Sequence, residues 1–231
     1  MAKTNIIENL FSYLAISSAF LPILIFVFHW HKCSPSRQLW IIVLYAFFVD
    51  FLLSYAVDFF PHKTVKITLY ASYTFFEYIA FGYFLFLHIK NKKFKRTLLV
   101  VSGVFLFFLT IYDLTVKFRR IDSIPIGIEA ILLILFSCYY LYEELLDSTT
   151  LFIYLKPTFW IVFGIILYLA GNFFIYIYAE SLSRVEGEKY WYITNIFSII
   201  KNIFFCIAIL LHTKPPRHTV NYSNFDLSSL N

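Results

Sequence analysis

The sequence predicts an all-α integral membrane protein with seven transmembrane helices, and three observations carry that reading. Of 231 residues, 60% are apolar and only 14% are charged, against ~45–50% and ~25% in an ordinary soluble domain. Phe (29) and Tyr (18) dominate the aromatic fraction while Gly (6) and Pro (7) are scarce, which excludes collagen-like, linker-rich and disordered chains. The apolar residues fall in runs of the ~20 residues that a membrane-crossing helix needs, separated by short charged or turn-forming segments.

A window of about 19 residues places the spans near 9–30, 38–60, 67–89, 97–116, 124–143, 158–179 and 190–211. The first begins after Lys3 and runs to Phe28, where Trp30, His31 and Lys32 follow in place of a small-residue cleavage site, so it is a retained span rather than a signal peptide. Pro35 separates it from the second, and Pro61-His62-Lys63 ends the second. The basic run from Lys90 to Arg96 follows the third span, and Arg119-Arg120 follows the fourth. Lys156-Pro157 precedes the sixth, and the polar segment from Glu180 to Lys189 precedes the seventh. All four Trp residues (Trp30, Trp40, Trp160, Trp191) stand at span ends, where an amphipathic ring prefers the headgroup region. Residues 1–211 form one membrane domain; the polar tail from His212 to Asn231 is expected to be disordered and is too short for an output module.

The net charge of +5 does not point to nucleic acid, because the 19 basic residues are spread over short loops instead of one face. Cys33, Cys138 and Cys206 lack metal-binding or redox spacing and read as small core residues in a reduced setting. With the amino terminus outside, ten basic residues fall on inner segments and eight on outer ones. The five-charge cluster from Lys90 to Arg96 then lies inside, giving an outside amino terminus and a cytoplasmic carboxyl terminus.

Inside a bilayer the informative residues are those that oppose burial. Asp50 in span two, Glu77 in span three, Glu129 in span five and Lys201 in span seven each cost ~2.5–3.5 kcal/mol at such depth, so they must compensate one another or serve a ligand. Helical spacing extends each into a stripe. Thr194, Asn195, Ser198, Lys201 and Asn202 share one face of span seven; Asp50, Ser54 and Asp58 recur at steps of four in span two. Tyr70, Tyr73, Thr74 and Glu77 line span three, and Tyr168, Asn172 and Tyr176 line span six. These stripes form either a common polar cavity or interhelical hydrogen-bond glue at ~0.6–2 kcal/mol per contact. Gly164 and Gly171, heptad-spaced in span six, are expected to permit close helix packing.

An internal repeat is expected as well. An offset of 124 residues aligns Leu87-His88-Ile89-Lys90 with Leu211-His212-Thr213-Lys214 and sets Glu77 opposite Lys201. An offset of 120 aligns Trp40-Ile41-Ile42-Val43 with Trp160-Ile161-Val162-Phe163. Spans one to three and five to seven would be parallel repeats in a 3+1+3 plan, with sites at the midplane between them.

No signature of a soluble enzyme occurs: there is no H-E-x-x-H, G-x-S-x-G or phosphate-binding glycine loop. The six His residues lie at span ends or in loops, as interfacial residues rather than metal ligands. A lipid-modifying hydrolase of the ceramidase type would carry paired His residues on late spans, where this chain has only His212. Lys201 and Glu77 are similar in position to the last-span Lys and third-span counter-ion of the opsins, which implies retinal on Lys201. That resemblance departs at Phe197, where an acidic residue would precede the Lys by one turn, and in span six, which lacks an internal Pro. The length and repeat plan also resemble small semi-symmetric transporters, without their Pro-Gln turns.

The expectation that best fits these residues is a non-enzymatic membrane sensor or receptor. Its polar midplane site would be built from Asp50, Glu77, Lys201 and Glu129 with Asn172, Asn195, Ser198, Asn202 and Tyr73, and its output would pass through a partner protein. Transport of a small solute is the alternative.

Overall fold

The computed structural model describes residues 2–29, 37–59, 62–115, 123–147, 152–178 and 184–212. Trp30, Cys33, Arg119, Arg120 and the tail beyond His212 lie outside the described residues, as do the side chains of Asp58 and Trp191. The described residues are helical apart from short turns. Helices α1 (Ala2–Ser18) and α2 (Phe20–Phe28) make the first rod. The second rod is α3 (Arg37–Tyr45), a π-helical segment (Ala46–Leu53) and α4 (Ser54–Phe59). Then come α5 (Lys63–His88), α6 (Lys92–Thr115), α7 (Ser123–Leu146), a 3₁₀ turn (Ile153–Leu155), α8 (Pro157–Tyr178) and α9 (Arg184–His212).

Among the described residues, six stretches are long and apolar enough to cross a membrane: Leu10–Phe28, Leu39–Ala56, Lys92–Thr115, Ile124–Leu146, Pro157–Ile175 and Tyr192–His212. The sequence reading expects a seventh, and α5 is its counterpart. At 26 residues α5 has the length, but its tyrosines, threonines and Glu77 keep it out of that apolar set. Of these residues Thr74, Glu77 and Tyr78 are buried, whereas Thr68 and Tyr83 are exposed.

The rods close into a ring. The first rod packs on α9 and on the π segment, the second on α5, α5 on α7, α7 on α8, and α8 along α9. Helix α6 stands outside, touching α5 and α7. Its Val100, Val104, Phe107 and Leu114 are accordingly exposed, as suits a helix that meets lipid along most of its circumference. Apolar packing seals the half of the ring toward the carboxyl ends of α5 and α7, where Phe84, Leu85, Leu133, Ile161, Ile165 and Phe205 are fully buried.

Gly164 and Gly171 let α8 and α9 approach. A Cβ on Gly164 would lie 2.9 Å from the Phe204 Cβ and 3.5 Å from the Lys201 carbonyl oxygen, and one on Gly171 would run into the Phe197 ring. Small residues at such seams are how helices pack closely in lipid. The seam also fixes the rotation of α9, and with it the direction of Lys201.

Candidate functional site

Lys201 is fully buried at the centre of the ring. Its Nζ donates to the Asp50 Oδ1 at 2.9 Å and to the Tyr45 hydroxyl at 2.7 Å. Tyr45 in turn donates to the Glu77 Oε1 at 2.7 Å, and the Tyr73 hydroxyl donates to the Asp50 Oδ1 at 3.0 Å. The Tyr168 hydroxyl lies 3.3 Å from that of Tyr73. Four rods thus supply one network. The ammonium also sits over the rings of Tyr168 (4.1 Å to the centroid), Tyr45 (4.6 Å) and Phe81 (5.9 Å), whose negative faces attract a cation. Desolvating Lys201 and Asp50 costs several kcal/mol per ion, which direct pairing, hydroxyl donors and ring faces together offset.

The ion partner of Lys201 is Asp50. Glu77, the counter-ion that the opsin resemblance implies, is reached through Tyr45 instead. The π segment explains why Asp50 arrives there. Around an α-helix, residues five apart such as Tyr45 and Asp50 differ by about 140°. The wider i→i+5 turn across Ala46–Leu53 brings both onto the Lys201 face. Stepping by four from Asp50 along a regular helix, as the sequence suggests, therefore misses Tyr45.

Glu129 faces the same interior from α7. The carboxyl ends of α5 and α7 meet, and the His88 ring stands edge-on to Tyr140 with centroids 6.1 Å apart. Glu77 and Glu129 each precede that contact by three helical turns on the same face. They are consequently level across the α5–α7 seam and within electrostatic reach of each other. Glu129 is 1% exposed, and its Oε1 has no hydrogen-bond partner among the described residues.

Asn172 lies one turn from Tyr168 on α8, also 1% exposed, and both of its amide atoms are without partners among the described residues. The Asp50 Oδ2 is likewise unpartnered among the described residues. Most buried polar side-chain atoms in folded proteins find a partner, so several orphans around one network call for an explanation such as a ligand or ordered water.

The structure does not bring the rest of the α9 stripe to this place. Adjacent helical residues point about 100° apart, so Asn202 turns to the first rod and donates to the Ser18 hydroxyl at 2.9 Å. Ser198 donates back to the Thr194 carbonyl at 3.1 Å. Asn195 is half-buried and makes no hydrogen bond among the described residues. Tyr45 is the functional candidate that sequence reasoning missed. Tyr168 was visible as the one-turn neighbour of Asn172. Among the described residues no group of three or more His, Cys, Asp or Glu side chains could hold a metal ion.

Charge at the carboxyl ends of α5 and α7 is organised separately. Glu143 accepts the backbone N–H groups of Lys90 and Asn91, each at 2.7 Å. The Lys90 ammonium meets Asp147 at 2.5 Å and Glu144 at 3.0 Å, while Lys156 pairs with the other Glu144 oxygen. Its hydrogen bonds to Asp147 and Glu144 push the Lys90 ammonium above its ordinary value. Trp160 donates to the Tyr154 carbonyl at 2.8 Å, tying α8 to the 3₁₀ turn at the same end.

No protein-family model matches the chain, and comparison with curated proteins and with solved structures finds no match either.

Proposed function

We propose that this chain is a seven-span, non-enzymatic membrane sensor or receptor that holds a small ligand at the midplane, beside Lys201. Counted this way, α5 is the third span, the amino terminus is outside and the carboxyl terminus cytoplasmic, and a partner protein carries the output. The observation that carries the reading is Asn172. A fully buried amide with no partner among the described residues is destabilising by ~1–3 kcal/mol; it lies one turn from Tyr168 of the Lys201 network, and Asp50 and Glu129 each carry an orphan oxygen as well. Interhelical glue of the kind Asn202 makes with Ser18 pairs at least one side of the amide, whereas Asn172 pairs neither among the described residues. A binding site leaves them for the ligand, between ring faces that supply an apolar wall.

Native mass spectrometry of the full-length protein, extracted gently from its own membrane, tests this. The wild type is expected to carry a small noncovalent adduct that Asn172→Leu lacks while remaining folded. Absence of any adduct from the wild type, together with lost stability in Asn172→Leu, would make the network structural.

The transport reading is favoured by one observation. With α6 outside, the remaining six rods divide into spans one to three and five to seven around a shared centre, which suits a 3+1+3 plan. The positions that the repeat aligns, Glu77 and Lys201, meet there through Tyr45. Solute uptake by reconstituted vesicles, abolished by Glu77→Gln, would put transport first.

A further inference from the structure

Helix α6 opens with Lys92, Lys93, Lys95 and Arg96, and no acidic residue lies in its first turn. This charge is on the unfavourable end of the helix, because the amino-terminal dipole is positive and repels cations. Nor do these side chains hold the fold together. The Asn91 Oδ1 already caps the helix by accepting the Lys93 N–H at 2.9 Å. The neighbouring carboxylates are engaged elsewhere, Glu143 by two backbone N–H groups and Glu144 and Asp147 by Lys90 and Lys156. Lys92, Lys93 and Arg96 are exposed and form no ion pair among the described residues, and Lys95 lies over the Phe86 ring at 5.2 Å.

The same helix then presents Leu99, Val100, Val104, Phe107, Ile111 and Leu114 to the outside. The basic turn therefore sits where a lipid-covered rod emerges, at headgroup level. The turn before it is rigid, since Glu143 and Lys90 tie it to α7. Clustered Lys and Arg beside a span recognise anionic lipids, and the attraction is electrostatic and screened by salt.

We infer that the α5–α6 turn, with Lys92, Lys93, Lys95 and Arg96, is a docking surface for anionic phospholipid headgroups. The cations that the helix dipole disfavours are balanced by phosphate groups of the surrounding bilayer, which pins the inner end of α6 beside the ring.

The test reconstitutes the full-length protein in vesicles of phosphatidylcholine and phosphatidylglycerol in equal parts and measures by native mass spectrometry which lipid it retains. The wild type is expected to favour phosphatidylglycerol roughly tenfold. Lys92→Gln/Lys93→Gln/Arg96→Gln is expected to approach parity, and Lys92→Arg/Lys93→Arg to keep the preference. High salt on the wild type supplies a readout that needs no variant, and it should erase the preference. Equal preference in the wild type and the triple Gln variant, or a preference that salt leaves intact, would overturn the inference. So would tight binding of a soluble polyglutamate peptide with no preference between lipids, which would indicate an acidic protein partner instead.

Discussion

Lys201 has three donor hydrogens and a fully buried side chain, so what happens on its removal depends on what it leaves behind. In Lys201→Met the Asp50 carboxylate stays buried with only the Tyr73 hydroxyl, and a loss of ~3–5 kcal/mol is expected in unfolding titrations in mixed micelles. Adding Asp50→Leu should restore much of that stability. Adding Glu77→Gln should restore little, because Glu77 touches Lys201 only through Tyr45. The buried charges were legible in the sequence because an ionisable residue inside an apolar run is costly wherever the helix points. Their pairing was not legible, since it depends on the rotation of each rod. Tyr45 carried no comparable signal, as tyrosine is common in aromatic-rich spans and its partners come from other helices.

At the level of elements, two local features aim the network. Gly164→Ala would press a methyl against the Phe204 Cβ, which cannot turn aside, and should cost ~1–3 kcal/mol. Gly171→Ala runs into the Phe197 ring, so Phe197→Ala should relieve it, and a double-mutant cycle in the same titration checks this. The close α8–α9 seam was expected from the heptad spacing of these glycines. The π segment was not. Deleting Phe48, whose side chain is exposed, should return the second rod to α-helical register and swing Asp50 by about 100°. A stability loss comparable to that of Lys201→Met is the expected result, measured in the same titration.

For the whole molecule, the ring order follows from which faces are polar, and hydropathy reads composition without reading neighbours. That is why the apolar runs were readable while the position of α6 outside the ring was not. The Lys90 clamp shows how a contact at the rim differs from one at the centre. Lys90 remains 52% exposed, so Lys90→Met should lower stability by at most ~1 kcal/mol. Because its folded value lies above the unfolded ~10.4, the contribution is fully present below about pH 10.4 and is lost as pH rises through the raised value. The melting difference between wild type and Lys90→Met should therefore be equal at about pH 6 and about pH 9, and shrink only in strong alkali.

The unfolding free energy of Asn172→Leu addresses the central claim most directly. If the orphan amide is kept for a ligand, replacing it with an apolar side chain of similar size removes an unsatisfied buried group, and the variant should be as stable as the wild type or more stable by ~1–3 kcal/mol. A variant less stable than the wild type by a similar amount would mean that Asn172 holds the bundle together, and would contradict a ligand site beside Lys201.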